Sequence, residues 1–198
     1  MSVAQAKGRV PFLALAVRRL RQDLQFSRIF LVDLAATSAY AAATLLLLHL
    51  SAPTPQGARA VLVAGAVYGL LLALKLGLVV YLEKRGGDAR QFVGSETLVT
   101  SGVYAFSRNP VYVVSLLQSL AWSLGLIGVC LTSEAPCALT LLMTVAALLY
   151  GHYWGMDRLI VPNEEAALRA RHPDEFANYC ARVNRWLGRR AQPVRTSR

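Results

Sequence analysis

Residues 60–82, AVLVAGAVYGLLLALKLGLVVYL, carry a single charged side chain, Lys75. A helix of that length is about 35 Å long, against a hydrocarbon core of about 30 Å. The stretch therefore reads as a membrane-spanning helix. Three more apolar runs of similar length accompany it, at 29–50, 111–131 and 137–156. The expected fold class is an all-α integral membrane protein with about four transmembrane helices.

The segments between the runs fit this reading. Ser51–Gly57, with Pro53 and Pro55, reads as a turn, and Thr132–Pro136 as a tight one. Glu83–Asn109 is a long polar stretch, and everything from Asp157 onward is polar and arginine-rich. The fourth run ends in Tyr150, Tyr153 and Trp154, as expected at a membrane interface. Residues 11–27 could form an amphipathic interfacial helix, its apolar face including Phe12, Leu13, Leu20 and Phe26 and its other side Arg18, Arg19 and Arg21. That segment is too short and too charged to span, and it lacks the cleavage pattern of a signal peptide. The expected organisation is an N-terminal arm, 1–28, followed by one membrane domain, 29–198, whose informative part is about 90–187.

Charge sets the orientation. The 198 residues hold 21 Lys and Arg against 11 Asp and Glu, a net charge of +10, and 55% are hydrophobic. Nearly all the basic residues lie in the N-terminal arm, the middle loop and the tail; the two short turns have only Arg59. The positive-inside rule then puts both termini and the middle loop in the cytoplasm. The expected location is a bacterial inner membrane, and nucleic-acid binding is a poor explanation of the charge. Cys130, Cys137 and Cys180 make no metal-ligand spacing; they read as small apolar residues, with a Cys130–Cys137 pair as the alternative. Within the spans, Asp33 and Lys75 lie at similar depth, which suggests a structural pair or a snorkelling lysine.

The polar residues otherwise gather at one membrane face. There, Asn109 before Pro110 reads as an N-cap opening the third span, and Asn163 before Glu164 and Glu165 as another. Pro173, Asp174 and Glu175 open a further helix, and Phe176, Tyr179, Cys180, Val183, Trp186 and Leu187 recur at helical spacing. These structural readings account for each piece by itself.

Taken in order, the pieces resemble a known pattern. Gly102-x-Tyr104, then Arg108-Asn109-Pro110-x-Tyr112, a helical hairpin, and Glu164-Glu165 opening a C-terminal helix look like the isoprenylcysteine carboxyl methyltransferase family, related to the phospholipid methyltransferases. The likeness covers roughly 90–187, about half the chain. It implies S-adenosylmethionine as cofactor and a lipophilic small molecule or lipid as methyl acceptor at the cytoplasmic face. By position it puts cofactor contacts on Gln91, Glu96, Thr97, Leu98, Val99, Tyr104, Asn109, Pro110, Val111, Tyr112 and Glu164, with catalytic candidates at Arg108, Arg158 and Glu165.

The residue types suit that chemistry. Tyrosine rings can face a sulfonium or stack on adenine. A helix N-terminus offers N–H groups to a carboxylate, and a glutamate can hold hydroxyls or an ammonium. Two departures stand out. Asn109 occupies the place of the family's histidine, and Ile160 that of its substrate-orienting arginine, with Arg158 the nearest base. The second departure argues against a prenylcysteine carboxylate as the acceptor. The alternatives are an NADPH-dependent sterol-type reductase, which shares a related Arg-x-Pro-x-Tyr segment, and a non-enzymatic scaffold or transporter.

Overall fold

The computed structural model describes residues 35–47, 49, 54–87, 97–132 and 138–190. The helix expected at 11–27, Asp33, Gln91, Glu96 and Cys137 lie outside the described residues. The described chain is helical: α1 (Ala35–Leu47), α2 (Pro55–Lys84), α3 (Pro110–Thr132), α4 (Ala138–Gly155), α5 (Val161–Arg171) and α6 (Pro173–Arg182), with a short 3₁₀ turn at Gly102–Ala105.

Among the described residues, three helical runs are long and apolar enough to cross a membrane: Pro55–Lys84, Pro110–Thr132 and Leu139–Arg171. In the last of these the apolar part is α4; α5 beyond it carries Glu164, Glu165, Arg169 and Arg171. The outer face of α2 leaves Leu62, Leu70 and Leu76 exposed, as a lipid-facing surface would.

α3 is the centre of the bundle. Leu126, Val129 and Cys130 pack with Tyr40, Ala43 and Leu47 of α1 and Leu141 and Val145 of α4. α2 lies close along α3 because small residues meet there. A Cβ on Gly128 would stand 2.7 Å from that of Ala60. Without a hydrophobic drive between helices in lipid, such backbone approach is what holds neighbours together. Cys130 is buried in this core.

Two boundaries differ from the sequence expectation. α2 begins at Pro55, inside the segment read as a turn. Pro55 is tolerated in the first turn, and the Thr54 hydroxyl caps the helix by accepting from Gly57 N at 3.1 Å. Asn163 does not open a helix. α4 runs into α5 through a π turn at Met156–Ile160, where Val161 N bonds Met156 O. Pro162 lacks an N–H and its ring crowds the carbonyl four residues back, and the wider turn lets the helix continue past it. Asn163 instead donates through its side chain to Leu159 O at 2.6 Å.

α6 forms where Pro173 predicts it, but its apolar series divides. Phe176, Tyr179 and Val183 make one buried cluster, Trp186 joins Tyr112, Met156 and Ile160 in another, and Leu187 is exposed. The helix ends at Arg182, and the chain turns back through Gly188, at φ +90°, to pair Val183 with Arg189. The polar residues also depart from the one-face expectation. Ser115, Gln118, Ser119 and Ser123 are all buried within the apolar bundle on α3.

Candidate functional site

The loop before α3 closes on the end of α2. Gly102 makes this possible: its φ is +62°, and a side chain there would collide with the Tyr81 hydroxyl. Arg85 lies over the Tyr81 ring at 5.1 Å and donates to the Ser101 hydroxyl at 3.0 Å. The 3₁₀ turn that follows carries Tyr104 inward, where it is buried.

Tyr104, Tyr112 and Glu164 converge. Tyr112, in the first turn of α3, is buried and hydrogen-bonds the Glu164 carboxylate. Burial raises the Tyr104 phenol above its ordinary range, and the charge of Glu164 adds to this. Glu164 is half-buried as a residue, yet its Oε2 is enclosed with no hydrogen-bond partner among the described residues. Its carboxyl is pushed up to about 7, first by burial; the Tyr112 hydrogen bond opposes this and Glu165 adds to it. An enclosed carboxylate oxygen with no donor is costly, and a donor or cation from a ligand would relieve it.

The adjacent Glu165 has the opposite circumstances. Arg108 Nη2 approaches its Oε1 at 3.2 Å, and Arg185 grips both oxygens, Nε at 3.3 Å and Nη2 at 2.8 Å. Arg185 also reaches Asp157 at 3.2 Å, and Asp157 accepts from Trp186 Nε1 at 3.2 Å. Arg108 further donates to Cys180 Sγ and faces the Phe176 ring at 6.0 Å. This chain of charges ties together the loop, the π turn, α5 and the tail.

The backbone completes the clasp. Tyr179 donates to Tyr104 O at 2.6 Å, Arg108 N to Asn184 O at 3.2 Å, and Gly188 N to Phe106 O at 2.8 Å. Asn109 stands at the N-cap of α3, its carbonyl accepting from Val113 N at 3.0 Å. Its side chain donates to Arg185 O at 3.0 Å, while Ser107 Oγ takes its N–H at 3.1 Å.

The other candidates are scattered. Val99 and Pro110 are buried, Leu98 packs beside Phe176 and Tyr179, and Thr97 is exposed at the loop's entrance. Val111 is half-buried at the start of α3. The Arg158 side chain is 70% exposed, and its Nε lies 3.6 Å from Oδ2 of Asp157. Ile160 is buried against Tyr112. Two residues along a helix point to nearly opposite sides, so Arg158 and Ile160 face different surroundings.

Sequence reasoning passed over Asp157, Tyr179 and Arg185 as parts of this assembly. Tyr179 reads only as a member of the C-terminal helical series, and no local pattern announces a partner 75 residues away. A cavity of about 450 Å³ lies beside the clasp, its lining including Tyr179, Arg182, Arg189 and Arg190. Comparison of the chain with protein-family models, curated proteins and solved structures found no match.

Proposed function

We propose that the protein is a membrane methyltransferase that uses S-adenosylmethionine, its site formed by Tyr104, Tyr112 and Glu164. The carrying observation is the enclosed Oε2 of Glu164, without a hydrogen-bond partner among the described residues, in a carboxylate near two buried tyrosines. The fit is chemical. A carboxylate in that state suits an ammonium or a pair of ribose hydroxyls. The tyrosine rings suit a sulfonium or an adenine face. When bound, the cofactor supplies an electrophilic methyl group.

The chain's own residues bind, orient and exclude water. Glu164 anchors the polar part of the ligand. Tyr112 steadies the carboxylate through its hydroxyl. Arg108, Glu165 and Arg185 are positioning residues, because their charges are spent on one another. Direct displacement needs alignment and a dry site more than a covalent intermediate. Asn109 takes the place of the family's histidine as a strut that fastens the tail to α3.

The reading includes four spans, with α1 as the core of the first, an interfacial N-terminal helix, and both termini in the cytoplasm. Arginine asymmetry supports it. The acceptor is a neutral or amine-bearing lipophile, because Ile160 offers no partner to a carboxylate.

A second reading, an NADPH-dependent reductase, draws on the cavity lined by Arg182, Arg189 and Arg190, which would suit a phosphate. One experiment separates the two. Calorimetry of the purified protein should show heat of binding with S-adenosylmethionine, lost in Glu164→Gln, and none with NADPH. Binding of NADPH alone would overturn the first reading.

A further inference from the structure

The apolar bundle holds a partly open cavity of about 280 Å³ with walls from α1, α2, α3 and α4. Gln118 lines it, is 4% exposed, and has its Nε2 buried without a hydrogen-bond partner among the described residues. Several of the polar groups around it are engaged elsewhere. Ser119 Oγ and His152 Nδ1 share a hydrogen bond of 2.6 Å, and the Tyr40 hydroxyl and Ser123 share one of 2.9 Å. Ser115 donates to Val111 O at 3.3 Å. An amide donor kept in such a place needs an acceptor, and none of the described residues supplies one.

The remaining walls define the shape. The Tyr68 and Trp122 rings meet edge to face at 5.8 Å, and both line the cavity with Leu72. The Trp122 N–H is taken by Thr44 at 3.0 Å, so its indole offers the cavity apolar surface and not a donor. Lys75 adds a basic side chain to the lining. The volume is at the low end of ligand sites, which run from about 300 Å³ upward. It therefore suits a head group of about one ring, with any alkyl tail left among the lipids.

We infer that this cavity binds the ring of a lipophilic quinone, a carbonyl oxygen accepting from Gln118 and the ring lying against Tyr68 and Trp122. The inference goes beyond methyl transfer and does not rest on it. Ser115, which lines the cavity, is one helical turn from Tyr112, so the two sites are neighbours along α3.

The test uses the full chain in lipid nanodiscs without added cofactor. Quenching of tryptophan fluorescence is titrated with decyl-benzoquinone and, separately, with decylbenzene, which lacks the oxygens. The quinone should bind saturably and decylbenzene should not. Gln118→Leu should weaken quinone binding about tenfold, as loss of one buried hydrogen bond does. Tyr68→Leu, which keeps an apolar wall but removes the ring, should weaken it several-fold and serves if the first variant does not fold. Saturable binding of both compounds alike, no saturable binding of the quinone, or wild-type affinity in the folded variants would each overturn the inference.

Discussion

The guanidinium of Arg108 lies 3.2 Å from Oε1 of Glu165, with both side chains more than nine-tenths buried. They are 57 positions apart in the chain (165 − 108). The pair joins the loop before α3 to the helix that extends α4, and the sites on either side of it depend on that junction.

Arg185 still holds Glu165 when Arg108 is removed, but removing Glu165 strands the buried Arg108 charge. Glu165→Met should therefore destabilise the protein by about 3–5 kcal/mol. Arg108→Met combined with Glu165→Met should recover part of this loss, since neither charge is then stranded. Thermal unfolding in detergent checks it. Additive losses in the double variant would show that the pair is not coupled.

Glu164 predicts two opposite pH dependences. Its carboxyl is raised to about 7 in the fold by burial, above an unfolded value of 4.5. The charged form is therefore disfavoured in the folded state, and stability falls as pH rises from 4.5 through 7. Glu164→Gln should abolish that fall, so its advantage in melting temperature should grow toward pH 8. Affinity for S-adenosylmethionine should run the other way. An ionised Glu164 holds the ammonium or hydroxyls, so binding should strengthen up to about tenfold per pH unit as pH rises toward 7, then level off. A flat affinity profile in the wild type would remove Glu164 from the binding site.

Tyr179 and Tyr104 separate a structural contact from a binding one. The Tyr179 hydroxyl reaches the main-chain carbonyl of Tyr104. Tyr179→Phe should lower stability by about 1 kcal/mol or somewhat more, read by thermal unfolding. Tyr104→Phe keeps that carbonyl and the ring, and should leave cofactor affinity nearly unchanged. Tyr104→Ala should lose the affinity while the protein stays folded in detergent. Equal affinities in wild type and Tyr104→Ala would assign Tyr104 to packing alone.

Topology is open to direct measurement. Reporter fusions after Arg90 and Arg190 should report cytoplasm, and fusions near Gln56 and Glu134 the far side. A cytoplasmic signal at Glu134 would contradict four spans.

The acceptor can be sorted by charge. With labelled cofactor, uncharged and amine-bearing lipids should be methylated in preference to a prenylcysteine carboxylate. The exposed position of Arg158 makes it a poor substitute for the missing base at Ile160. Efficient methylation of the carboxylate that disappears in Arg158→Ala would show otherwise.

Composition and periodicity were enough to read apolar helices at α2, α3 and α4, because a run such as 60–82 has few ways to satisfy its backbone in lipid other than as a helix. Pro173 likewise marked the start of α6. Tertiary structure alone decided what Glu164 and Glu165 become. The two are adjacent and chemically identical, so no local pattern separates them. Their difference comes from Arg108 and Arg185, which converge on one carboxylate, and from burial beside Tyr104 and Tyr112, which leaves the other with an enclosed oxygen that no described residue partners. The cavity around Gln118 was hidden for the same reason. A glutamine in an apolar run says only that a polar group is present; whether it finds an acceptor depends on what the neighbouring helices bring to it.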